Sequence, residues 1–156
     1  MVINMKIKIV LTVLLMLFTN SIYASILDEL QQVKNQPCHS KSDNERVHLF
    51  ECEKEKVTNL KHLLNKIENQ FREQIGKSKE NISGKKEKMK LSFEKSVKLW
   101  DEYFKAQDQF ASDFLWAGTP DDNLYAAYGA RKKVIENRIL TLQDVYENYF
   151  VFDDEE

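Results

Sequence analysis

Apolar side chains recur along this chain at steps of three and four in three long stretches. The first runs through Val57, Leu60, Leu64, Ile67 and Phe71. The second runs through Met89, Phe93, Val97, Trp100 and Phe104, with Tyr103 widening the stripe. The third runs through Leu124, Tyr128, Ile135, Leu142, Val145 and Tyr149, with Arg131 and Arg138 as its polar members. Such spacing puts the apolar positions on one face of a helix, and each face needs the others to cover it. No alternating stretch of useful length competes as a strand. A shorter helix near Ile26–Val33 is expected to pack across the base.

The punctuation between the stripes sets the helix ends. Ser42-Asp43-Asn44-Glu45 reads as a capping box, in which Ser42 accepts from the N–H of Glu45 and Glu45 reaches back. From there a helix runs to about Lys77, roughly 50 Å at 1.5 Å per residue. Asn81 to Gly84 break it, and Lys85–Lys90 lead into the next. Gly118-Thr119-Pro120-Asp121 is a second break, with Asp121 or Asp122 suited to start the last helix. The four glycines are scarce, and both prolines, Pro37 and Pro120, fall between periodic segments. The fold class is therefore all-α: an antiparallel bundle of three main helices with a short N-terminal helix.

The first residues follow a different pattern. Lys6 and Lys8 precede an apolar run from Ile9 to Phe18, polar Thr19 to Ser21 follow, and Ala24 offers a small residue for cleavage. That is the organisation of a secretory signal peptide over residues 1–24. The apolar run is shorter than the ~20 residues of a membrane crossing, so an uncleaved anchor is the lesser alternative. No cysteine follows the expected cut at Ala24/Ser25, so no lipid anchor is expected and the mature product should be periplasmic or secreted. Residues 25–152 then form one helical domain, and residues 153–156 an acidic tail.

Cleavage shortens the chain from 156 residues to 132 and removes two of its 23 basic side chains. The remaining 21 stand against 25 acidic ones, a formal charge of −4. An acidic balance argues against nucleic acid as a partner, since that partner calls for a basic domain. Lysines 77, 79, 85, 86, 88 and 90 make the first hairpin tip basic, which reads as a solvated end. Asn81-Ile82-Ser83 matches a glycosylation sequon that carries meaning only in a eukaryotic secretory pathway.

The chain has two cysteines, Cys38 and Cys52. In an oxidising compartment a lone pair is most simply a disulfide, here a staple that pins the N-terminal segment to the first long helix. A rival arrangement uses Cys38, His39, His48 and Cys52 as a tetrahedral zinc site, although the spacing matches no common zinc module. His62 reads as a helix-surface residue. There is no nucleophile elbow, no phosphate-binding glycine loop and no stronger metal motif, so no cofactor is expected. The chain reads as a binding protein, with a Cys–His thiol enzyme a minor alternative.

Order and spacing add a resemblance. Cys38, Cys52 and Leu64-Asn65 are followed by Ser96-Val97-x-x-Trp100-x-x-Tyr103-Phe104-x-Ala106-Gln107-Asp108. Gly118-Thr119 and then Ala130, Val134, Ile135-Glu136, Arg138, Leu142 and Tyr146 complete the series. Over residues 38–149 this resembles the LprI-like lysozyme-inhibitor family, small exported bacterial proteins with a helical N-terminal domain. The family has a second cysteine pair where this chain has Asp108 and Ala130, and an arginine where it has Phe104. The resemblance implies a protein partner, lysozyme. Trp100, Tyr103, Gly118 and Arg138 are motif positions expected to be structural, with Arg138 snorkelling or paired to Asp101 or Glu102. A cationic lysozyme would dock on exposed acids near the Gly118 turn, and Asp108, Asp113, Asp121 and Asp122 are the candidates. The alternative is an envelope or secreted interaction module that keeps the bundle without inhibiting anything.

Overall fold

The computed structural model describes residues 26–37, 44–77, 84–115 and 120–150. The expected leader over residues 1–24, the expected acidic tail, Cys38, His39, Ser42, the 81–83 sequon and Gly118 lie outside the described residues. Within them the chain is wholly helical, without a strand. We number the helices α1 (residues 26–35), α2 (Glu45–Lys77), α3 (Lys85–Leu115) and α4 (Pro120–Phe150). None is long and apolar enough to cross a membrane.

The helix starts differ from expectation in instructive ways. The cap of α2 is Asn44: its Oδ1 accepts from the Val47 N–H at 3.3 Å, and its carbonyl accepts the first helical bond from His48. Among the adjacent polar residues, Asn44 stands three before an N–H without a helical partner, the geometry a cap needs. At α3 the corresponding position is Gly84, whose φ of 82° puts it in the left-handed region while its carbonyl accepts from Lys88. Helix α4 begins at Pro120, one residue before the expected start. Proline is tolerated there because a first-turn N–H has no partner to lose.

Cross-helix pairs give the topology. Between α2 and α4 the pairs Phe50–Tyr128, Glu53–Lys132, Glu68–Arg138 and Phe71–Tyr146 advance together along both helices, which are therefore parallel. Between α3 and α4 the pairs Asp108–Arg131 and Ser96–Arg138 advance in opposite senses. Helix α4 lies chiefly along α2 and secondarily along α3, and α2 and α3 touch least.

All five residues of the α2 stripe are buried, joined by Leu63 and Ile75. Leu60, Ile67, Ile135 and Ile139 are the most enclosed, each burial stabilising by roughly 1.5–3 kcal/mol. On α4 the inward face is Ala127, Ile135, Ile139, Leu142 and Gln143, with Tyr146 packed against it. Ile139 was not on the expected stripe, and Val145, which was, is 37% exposed. Because α4 meets both α2 and α3, its inward sector is broad and a single stripe misplaces its edge. Helix α3 is shallower: Phe104 is buried, Phe93 and Trp100 are half-buried, and Tyr103 stands in solvent. Tyr103 therefore does not widen the core stripe.

Helix α1 inserts Ile26 and Leu30 into the same core. Lys66 donates to both oxygens of Glu29 at 2.6 and 2.7 Å, and Lys34 pairs with Glu136 at 3.4 Å. Just beyond α1, Gln36 donates to Glu55 and accepts from Asn59 at 3.2 and 2.7 Å. Two buried side chains and these polar ties hold a helix too short to persist alone.

Candidate functional site

Helix α3 ends at Leu115 and α4 begins at Pro120, and Asp113, Asp121 and Asp122 of the candidate acids stand near these two helix ends by chain position. Asp113 is exposed near the end of α3 and accepts from Gln109 Nε2 at 2.7 Å. Asp121 and Asp122 stand in the first turn of α4 by chain position, and their side chains lie outside the described residues. Asp108, a turn and a half back along α3, is half-buried and ion-paired with Arg131 Nε of α4. The Arg131 guanidinium lies over the Tyr128 ring at 4.8 Å, and that ring meets Phe50 of α2 edge-on at 5.2 Å. Asp108 thus orients a chain of contacts spanning three helices, with its charge offset, while Asp113 faces water.

Beside this ion pair is a cleft of about 300 Å³ between α3 and α4. Phe104, Phe110, Ala111, Ala127, Ala130 and Val134 make it largely apolar, with Gln107, Asp108 and Arg131 as its polar edge. Four alanines, Ala111, Ala126, Ala127 and Ala130, leave the space open, because facing methyl groups cannot fill the distance between two helix backbones. Asp108 and Ala130, the positions of the second cysteine pair in the resembled family, line this same cleft from opposite helices.

The motif positions divide. Trp100 stacks on Phe104 with ring centroids 5.3 Å apart, so it supports the wall of the cleft. Arg138 is nearly enclosed, donates through Nη2 to Ser96 Oγ at 2.8 Å and faces Glu68 of α2 at 3.8 Å. It does not pair with Asp101 or Glu102: Asp101 instead accepts from Lys105 one turn on, at 2.5 Å. Burial pushes the Glu68 carboxyl above its usual range, with the Arg138 and Arg72 charges pulling it back, and burial lowers Arg138. Nearby, Arg72 grips Glu94 of α3 through Nε and Nη2 at 2.8 and 3.2 Å, which holds Glu94 below the usual carboxylate range.

Sequence reasoning missed Glu68, although its position carried a signal. It stands four residues after Leu64 and three before Phe71, in register with the α2 stripe, and a charged residue there requires a counter-charge. Cys52 is buried at 3% exposure on α2, and no free cysteine occurs among the described residues. Among those residues no group of three or more His, Cys, Asp or Glu side chains is placed to hold a metal ion. His62, exposed on α2, lines a shallow groove beside α1.

Fold and site together define a small all-α bundle with an apolar cleft and an acidic end. Compared with protein-family models, with curated proteins and with solved structures, the chain matches none.

Proposed function

We propose that this chain is an exported helical binding protein that docks on a lysozyme and inhibits it, as the resemblance in its sequence implies. The observation that carries the reading is the apolar cleft between α3 and α4, with exposed Asp113 near the end of α3 and Asp121 and Asp122 in the first turn of α4 by chain position. Acidic positions on the same two helices as an apolar cleft suit a cationic partner, since charge steers the encounter and an apolar anchor supplies affinity. Asp108, the acid that lines the cleft, is held by Arg131, and the docking set narrows to the other three acids.

Asp108 and Ala130, where the resembled family has its second cysteine pair, both line this cleft. The staple Cys38–Cys52 belongs to the same reading. Cys52 is buried and not a free thiol, and Cys38 is the only other cysteine in the chain. Such a staple presumes export to an oxidising compartment, in agreement with the leader.

A turbidity assay tests the proposal, with lysozymes of several types clearing a cell-wall suspension in the presence of the purified mature protein. Inhibition that weakens when Asp113, Asp121 and Asp122 become asparagine, and that weakens with salt, is the expected result. Unimpaired clearing by every lysozyme type at micromolar excess of the protein refutes it.

A further inference from the structure

The first half of α3 is fixed in rotation by contacts on its inner side. Phe93 stacks on Phe71 with ring centroids 5.2 Å apart, and Glu94 is held by Arg72 of α2. At about 100° per residue, Lys88, Leu91, Lys95 and Lys98 then stand between roughly 140° and 200° away from Phe93. All four are exposed, and Leu91, at 69%, is the most exposed large apolar side chain among the described residues. Among those residues none pairs with Lys88, Lys95 or Lys98. This face shares no residue with the α3–α4 cleft or with the acids near the helix ends.

From Lys85 to Lys98 the helix has six lysines and two glutamates, and from Asp101 to Leu115 it has four acids and one lysine. Lys86 is used within the fold, donating to the Gly76 carbonyl at the end of α2. Lysines at a helix start oppose the macrodipole, which favours acids there. An anionic partner along this half of α3 removes that conflict. Leu91 discriminates among anionic partners. A hydrated polyanion offers an isobutyl group nothing to enter, whereas a lipid interface admits it below the headgroups while neighbouring lysines snorkel to the phosphates.

We propose that the outer face of the first half of α3 docks on an anionic phospholipid bilayer. Leu91 enters the boundary between headgroups and acyl chains, and Lys88, Lys95 and Lys98 meet headgroup phosphates over about 15 Å of helix. The acidic second half of α3 is repelled by the same surface, so the helix tilts with its basic half down. No described helix is long and apolar enough to cross the bilayer, and the attachment is peripheral and sensitive to salt.

The proposal stands apart from lysozyme binding, because lipid vesicles alone read it. The purified mature protein, which retains every described helix, is sedimented with vesicles of defined composition. Phosphatidylglycerol vesicles should carry it down at low salt, phosphatidylcholine vesicles should not, and about 0.5 M salt should release it. Lys88→Gln, Lys95→Gln and Lys98→Gln should each weaken binding about five-fold, and Leu91→Ser about ten-fold, with helicity unchanged. Multiplied together, these factors give half-binding at about 1 mM lipid. Lys105→Gln, on the acidic half and paired with Asp101, should leave binding unchanged. Absence of sedimentation with phosphatidylglycerol vesicles at about 10 mM lipid overturns the proposal, as does equal binding to both kinds of vesicle. So does a loss from Lys105→Gln as large as that from Lys95→Gln. Undiminished binding of Leu91→Ser overturns it as well, and would assign the lysines to a soluble polyanion.

Discussion

Replacing Arg138 by methionine keeps most of the side-chain volume and removes the counter-charge of Glu68. Both groups are nearly enclosed, with side-chain exposures of 10% and 7%. Removing one partner of such a pair strands the other charge, and the loss is about 3–5 kcal/mol. The low end applies, because the pair is already imperfect. The two groups stand 3.8 Å apart, and Glu68 Oε1 and Arg138 Nε have no hydrogen-bond partner. The same imperfection predicts the opposite result for the double replacement Glu68→Leu with Arg138→Met. Two desolvated charges then give way to apolar packing, and stability should equal or exceed the natural protein's by about 1–4 kcal/mol. In a helical domain of this size each kcal/mol moves Tm by roughly 3–5 °C. Guanidinium unfolding followed by helicity, on the four proteins of the cycle, measures both values. The reasoning fails if Arg138→Met lies within about 1 kcal/mol of the natural protein. It fails equally if the double variant is no more stable than Arg138→Met.

The pH dependence should show two opposed contributions. Glu68, raised above its ordinary 4.5 by burial, contributes stability that is full below that value and lost as the pH rises through its folded value. Glu94, lowered by its hydrogen bond to Arg72, contributes stability present above 4.5 and lost as the pH falls through its lower folded value. Tm against pH should accordingly flatten above 4.5 in Glu68→Gln and below 4.5 in Glu94→Gln. Two glycines should respond with opposite signs. Gly84→Ala places a Cβ at φ 82° and costs about 1 kcal/mol, whereas Gly129→Ala, inside α4 with open space around it, stabilises by up to about 1 kcal/mol. Thermal unfolding of both variants reads the difference. Reduction of the proposed Cys38–Cys52 staple should cost about 3 kcal/mol, seen as a lower denaturation midpoint in dithiothreitol, with no change on adding a chelator.

Local pattern was enough for much of this protein. The α2 stripe, the break at Gly84, the last helix starting close to Asp121 and the small N-terminal helix were all legible, because helical period, capping chemistry and helix breakers act over a few residues. What the pattern could not supply was which part of each helix faces which neighbour. Ile139 replaced Val145 in the core because α4 packs extensively on both neighbours, and Tyr103 turned outward because α3 packs chiefly on α4 and only lightly on α2. Asp108 found Arg131, and Arg138 found Glu68 and Ser96, across separations of 23, 70 and 42 residues. Periodicity determines that a helix has a buried face, whereas the rotation of that helix about its axis is set by the packing of its neighbours. The ion pairs and the cleft follow from that rotation, so only the tertiary structure decided them.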